Sequence, residues 1–272
     1  MSQLPVYFIS HGGGPWPWMH EETHGAYDQL AAALGDIPRQ IGHTPKAVLM
    51  ISAHWEGDVF LVQGAAQPTM IYDYGGFPEH TYHIHYDAPG SPDVAARASQ
   101  LIGAAGLPAR IDPARGFDHG TFSAMAAVYP KADVPIVQVS LRRGLDPAEH
   151  VALGRALAPL RDEDVLIVGS GGSYHNLRAF GPPGYAPSKA FDAWLQQSVL
   201  HRRGSERIGH LLDWSRAPAA RLAHPREEHL LPLMVATGAA PDEAATLCYH
   251  EDAFIGGLAV SSFRFGHADG AG

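Results

Sequence analysis

Val6-Tyr7-Phe8-Ile9-Ser10-His11-Gly12-Gly13-Gly14-Pro15 opens with an unbroken apolar run and ends in a histidine and three glycines. A strand with one face in water alternates apolar and polar residues. A continuous run is what a strand covered on both faces needs, as in a parallel sheet. The same form recurs in Ala47-Val48-Leu49-Met50-Ile51, Val134-Pro135-Ile136-Val137-Gln138-Val139 and Val165-Leu166-Ile167-Val168. Phe60-Leu61-Val62 and Ala259-Val260-Ser261-Ser262-Phe263 read as two further strands. Helical patterns lie between them at 93–105, 121–129, 146–160, 190–201 and 230–237. Strands alternating with helices predict an α/β sandwich. Segment 64–92 has no clear strand period and is rich in Gly, Pro, Tyr and His. A loop that long is usually a functional wall or lid. No repeat or linker divides the chain, so a single domain over 1–272 is expected.

Composition narrows the function classes. With 46% hydrophobic residues in 272, the chain can bury a full core, which excludes disorder. The single cysteine, Cys248, excludes a disulfide scaffold and fits a reducing compartment. A net charge of −9 argues against a nucleic-acid partner. Met1-Ser2-Gln3-Leu4-Pro5 lacks the charged and apolar regions of a signal peptide. No apolar stretch reaches the roughly 18 residues of a membrane span. A cytoplasmic protein with no membrane association is the expectation, and a homo-oligomer is compatible with it. The anomaly is 17 histidines against 19 Lys and Arg together. Histidine is the commonest metal ligand and the usual acid–base group near neutral pH.

Their positions are not random. His11 directly follows the first strand and His54 the second, in Ser52-Ala53-His54-Trp55. His175 follows the strand ending near Gly169, in Gly171-Gly172-Ser173-Tyr174-His175-Asn176. His119, in Gly116-Phe117-Asp118-His119-Gly120, opens a predicted helix, and His229 sits in a helix-entry turn, Pro225-Arg226-Glu227-Glu228-His229. Ligands of open α/β sheets bind outside the carboxyl ends of the strands. Three histidines at three such ends share one rim if those strands are parallel neighbours. One histidine after a strand is ordinarily a solvated loop residue; the joint placement points to a metal or acid–base site. His80, His83 and His85 read as loop or edge strand, and the others, His150 and His224 among them, as surface or structural.

Two motifs fail. His11-Gly12-Gly13-Gly14 resembles a lipase oxyanion segment, but no G-x-S-x-G nucleophile elbow accompanies it. Gly169-Ser170-Gly171-Gly172 lacks the dinucleotide-binding spacing, and no P-loop lysine follows a glycine cluster.

The ordered set of segments resembles a known family. Ser10-His11-Gly12, Ser52-Ala53-His54-Trp55, Gly75-Gly76-Phe77-Pro78, Tyr86-Asp87-Ala88-Pro89-Gly90-Ser91-Pro92, Gly116-Phe117-Asp118-His119-Gly120, His175-Asn176-Leu177-Arg178 and Glu228-His229-Leu230-Leu231-Pro232-Leu233 run in the order of the class III extradiol ring-cleavage dioxygenases, in the 4,5-DOPA-type branch. The resemblance implies a three-layer α/β/α sandwich around a central mixed, largely parallel sheet. It also implies a non-haem Fe(II) site that opens a catechol beside its diol with O2, giving a muconic semialdehyde-type product. By the same resemblance His11, His54 and His229 match the metal ligands, with Glu228 the alternative third ligand. His175 matches the acid–base residue, and His119 a substrate-side histidine. Trp16, Trp18 and Tyr174 could wall an aromatic pocket. The chain departs from the branch at Gly13-Gly14 and Trp16-Pro17-Trp18, where DOPA-type members commonly have His-Gly-Ser-Pro. The resemblance therefore speaks for the chemistry more than for DOPA as substrate.

Three ligands on one face leave positions open for both catechol oxygens and O2. A Zn(II) hydrolase on the same histidines is the competing reading, since zinc suits an all-histidine site with an open position. A non-catalytic metal-binding protein would leave His175 and His119 without a task.

Overall fold

The computed structural model describes residues 3–267. Residues 1–2 and 268–272, which include the ends of the expected domain and the start of the N-terminal stretch read above, lie outside the described residues. Among the described residues the strands are β1 Val6–Ser10, β2 Ala47–Gly57, β3 Phe60–Gln63, β4 Ala109–Asp112, β5 Ile136–Arg142, β6 Val165–Gly171, β7 Ala245–Phe254 and β8 Leu258–Phe265. They form one sheet in the order β4-β3-β5-β2-β6-β1-β8-β7. The central four, β5, β2, β6 and β1, run parallel. β8 returns antiparallel beside β1 and β7 beside β8, while β3 meets β5 antiparallel. The sheet is therefore mixed and mostly parallel, as expected.

The helices are α1 Asp28–Gly35, α2 Ile37–Ile41, α3 Pro92–Ala104, α4 His119–Val128, α5 Pro147–Leu157, α6 Pro182–Leu200, α7 Gly204–Leu212, α8 Ala220–Ala223 and α9 Leu231–Ala239. They cover both sheet faces, which β6 makes visible. Successive residues of a strand point to opposite sides. Gly169 and Gly171 face the segment entering α9, so closely that a Cβ on either would overlap the carbonyl oxygen of Pro232 or His229. Ser170, between them, points the other way and donates to the Gly120 carbonyl oxygen of α4. Every residue of α9 is buried, which explains its all-round apolar sequence.

The strands missed by sequence are β4 and β7, the two edges of the sheet. Arg110, Asp112, Glu251 and Asp252 give them the composition of loops because they are partly solvated. α6 begins at Pro182 rather than at 190, since Pro182 and Pro183 occupy a first turn where no backbone N–H needs a partner. α1, α2, α7 and α8 were not foreseen. No helix of the described residues is long and apolar enough to cross a membrane.

Candidate active site

β2, β6 and β1 are parallel neighbours, so their carboxyl ends meet at one rim. His11 leaves β1 there, and its backbone N–H donates to the Gly171 carbonyl oxygen. His54 does not follow β2 but lies inside it, at a register shift between Ile51 and Glu56. An irregularity of this kind re-aims side chains at a functional site. His229 arrives from the turn before α9. His54 Nε2 stands 3.1 Å from His11 Nε2 and 3.3 Å from His229 Nε2.

The other ring nitrogen of each histidine meets an oxygen. His11 Nδ1 lies 3.0 Å from Ser170 Oγ. That hydroxyl spends its one hydrogen on Gly120, so it accepts from His11. His229 Nδ1 lies 3.0 Å from Glu228 Oε1, and His54 Nδ1 faces Asp73 Oδ2 at 3.4 Å. These hydrogen bonds set the His11 and His229 protons on Nδ1 with a lone pair on Nε2, and the facing Asp73 carboxylate favours the same tautomer at His54. Three lone pairs then point into one space, which is unfavourable without a cation and is the arrangement a metal needs. Burial, with His54 and His229 beside it, holds His11 well below its ordinary pKa. Burial and His175 do the same for His229, and burial and His119 push His54 down to about 3. All three are neutral, the ligating form. Their donor atoms lie within 4.8 Å of one another, so the residues fit a bound metal ion. Two overlapping groups, His54-Asp73-His119 and His175-Glu228-His229, share that property.

Glu228, the alternative ligand, lines the same cavity beside two of the imidazoles. Its Oε1 accepts from His229 and lies 3.2 Å from His175 Nδ1, while the His175 ring stacks on His229 with centroids 3.3 Å apart. Burial raises the Glu228 carboxyl, but the His175 hydrogen bond, a backbone N–H and the charges of His175 and Arg226 together keep its pKa below the ordinary value. His119 starts α4, and both its Nδ1 and its backbone N–H donate to Asp73 Oδ1 at 2.9 Å. Burial likewise raises Asp73, and those bonds bring it below its ordinary value. Both carboxylates stay ionised beside the site.

These groups line a cavity of about 650 Å3. His11, His54, His119, His175 and His229 all face it, as does Tyr174, whose hydroxyl is taken by the Ala179 carbonyl oxygen at 2.9 Å. Segment 64–92 supplies Asp73, Tyr74, Gly75 and Phe77 to one wall. Trp16 is placed differently. It is buried beneath the rim, stacked on Tyr27, with its indole N–H donating to the His11 carbonyl oxygen at 2.7 Å, and it does not line the cavity. Gly12, at φ +76°, makes this tuck feasible, because a Cβ there would strike the indole.

A family model described as the catalytic LigB subunit of aromatic ring-opening dioxygenase matches residues 5–259. The chain belongs to this family. A 4,5-DOPA dioxygenase extradiol of Beta vulgaris is 40% identical over 264 residues, covering 96% of each chain. One from Escherichia coli strain K12 is 33% identical, over 97% of this chain and 96% of that one. A crystal structure of an uncharacterized E. coli K12 protein superposes with a TM-score of 0.73 at 29% identity, covering 97% of this chain and all of that one. The chain is a non-haem extradiol ring-cleavage dioxygenase, as the motif resemblance implied. Membership implies a metal cofactor, an aromatic substrate and O2.

Sequence reasoning missed Asp73 and Ser170, and it weighed Glu228 only as a ligand. Asp73 carries no local signal in an irregular loop. Ser170 does, as the one hydroxyl between glycines at the end of a buried strand. His224 is fully buried, and its Nε2 donates to the Ser173 carbonyl oxygen at 3.0 Å, two residues before His175.

Proposed function

We propose that the metal is Fe(II), held by His11, His54 and His229, and that His175 moves the catalytic proton while His119 positions the substrate. The observation that supports this is the convergence of the three Nε2 atoms, with the Nδ1 of His11 and His229 hydrogen-bonded to oxygens and that of His54 facing Asp73, beside His175 and His119. When bound, Fe(II) supplies coordination of both catechol oxygens and of O2, together with the one-electron chemistry that O2 requires. His175 donates from Nδ1 to Glu228, so its Nε2 is free to take a catechol hydroxyl proton. Glu228 balances the imidazolium that results, as a carboxylate does behind any catalytic histidine. His175 then returns the proton as the carbon–carbon bond beside the diol opens, both oxygen atoms entering a muconic semialdehyde-type product. His119, braced by Asp73, holds the diol in place, and the Tyr174 ring packs on the substrate and excludes water. Trp16 acts from beneath by fixing the His11 backbone.

The chain is read as one catalytic domain over 1–272, working in the cytoplasm, where Cys248 stays reduced. Anaerobic loading with Fe(II), then addition of a catechol panel and O2, tests the reading. Oxygen uptake with a yellow ring-opened product is expected with iron and not with zinc. Ester or amide hydrolysis by the zinc form, without oxygen uptake by the iron form, would favour the hydrolase instead.

A further inference from the structure

The cavity has two unlike halves. The histidines occupy one. The other is a continuous aromatic wall: the Tyr174 and Phe180 rings lie 6.2 Å apart, Phe180 and Phe254 6.4 Å, and Phe254 and Tyr27 5.4 Å. Phe77 and Tyr74, with ring centroids 5.3 Å apart, line the same cavity. At the mouth, Leu177 and Phe180 line the cavity while 70% and 40% exposed, the kind of apolar surface that a ligand covers.

Charge in the cavity is arranged against an anion. Among the described residues, Arg226 is the only Lys or Arg lining it. Its guanidinium already grips both oxygens of Glu56, at 2.6 and 2.7 Å, and lies 3.6 Å from Glu228. Glu56, Asp73 and Glu228 therefore place three carboxylates on the lining against one cation. A substrate carboxylate would have to displace Glu56 from a bidentate pair, leaving that glutamate without its partner.

We infer that the cavity selects catechols whose ring substituent is uncharged and apolar, seated between Phe180, Phe254 and Leu177. An amino-acid side chain such as that of DOPA, the compound named for several relatives, fits poorly. The inference rests on the catechol chemistry proposed above and adds the substituent class. It separates the diol, read by the metal and histidines, from the substituent, read by shape and by a lining on which, among the described residues, the one Lys or Arg is already paired.

Binding tests this apart from turnover. The Zn(II)-loaded protein, titrated anaerobically in a calorimeter, is offered 4-tert-butylcatechol, 3,4-dihydroxyphenylpropionate and DOPA. The alkylcatechol should bind at least about tenfold more tightly than either carboxylate, because its four apolar carbons outnumber the two methylenes of the propionate chain and each buried carbon contributes roughly fourfold. The double substitution Leu177→Ser and Phe180→Ser, both at exposed positions, should narrow that ratio. Tighter binding of the carboxylates, lost in Arg226→Gln, would overturn the inference. Equal binding of all three would overturn it too. Should the iron form fail to consume O2 with any catechol while the binding order holds, the proposed chemistry falls and the ligand class stands.

Discussion

Ser170 Oγ lies between His11 Nδ1, 3.0 Å away, and the Gly120 carbonyl oxygen to which it donates. One hydroxyl thereby fixes the tautomer of His11 and ties β6 to α4. Ser170→Ala leaves the buried His11 N–H without its acceptor. Metal affinity should fall about 10–100-fold, the usual cost of losing a ligand's hydrogen-bond partner. Competition with a coloured chelator measures it; unchanged affinity would remove Ser170 from the account.

Glu228 and His175 should separate from the ligands by metal content. His175→Ala should retain iron and lose about 10²–10⁴-fold in kcat, the range of a general base. Glu228→Gln keeps an acceptor for both imidazoles but loses the charge behind His175, so kcat should drop more than iron occupancy. If His175→Ala loses iron as completely as His11→Ala, His175 is a ligand and proton transfer passes to another group.

Asp118, fully buried, stands just before α4, and its carboxylate receives Ser52 Oγ at 2.7 Å, the Arg115 guanidinium at 2.9 Å and the Gln138 amide. Arg115 in turn covers the Trp55 ring and reaches the His54 carbonyl oxygen. Asp118→Ala strands a partly buried guanidinium and should cost about 3–5 kcal/mol in urea unfolding. A loss below about 1 kcal/mol would mean that water replaces the carboxylate.

His150 should set part of the acid limit of stability. Its Nδ1 donates to the Asp146 carbonyl oxygen at 2.7 Å and its Nε2 accepts from the Arg142 N–H at 3.2 Å, so the folded state holds the neutral ring. Burial lowers its pKa from the ordinary 6.5. Below that value the unfolded chain takes a proton that the folded chain refuses. Its stabilising contribution is therefore full above pH 6.5 and is lost as pH falls toward the folded pKa, by up to about 1.4 kcal/mol per unit. Urea unfolding from pH 7.5 to 5 should show a shallower pH slope in His150→Phe. An identical slope would show that the ring titrates normally when folded.

Local composition determined the parallel centre of the sheet. The central spans of β1, β2, β5 and β6 bury both faces, so they are largely apolar, and that demand is written in consecutive residues. The edges β4 and β7 answer to water on part of their surface and look like loops. The ordered motif segments likewise determined the chemistry, because the motifs that mark the family are short and local. Tertiary structure alone decided what holds those histidines. Ser170 reaches His11 across 159 residues and Asp73 reaches His119 across 46, by way of neighbouring strands and a long loop. It also put His54 inside a register shift and tucked Trp16 beneath the rim rather than on the wall. A hydrogen-bond partner is selected by strand order and by which way alternate side chains point, and neither is encoded in the residues beside the histidine itself.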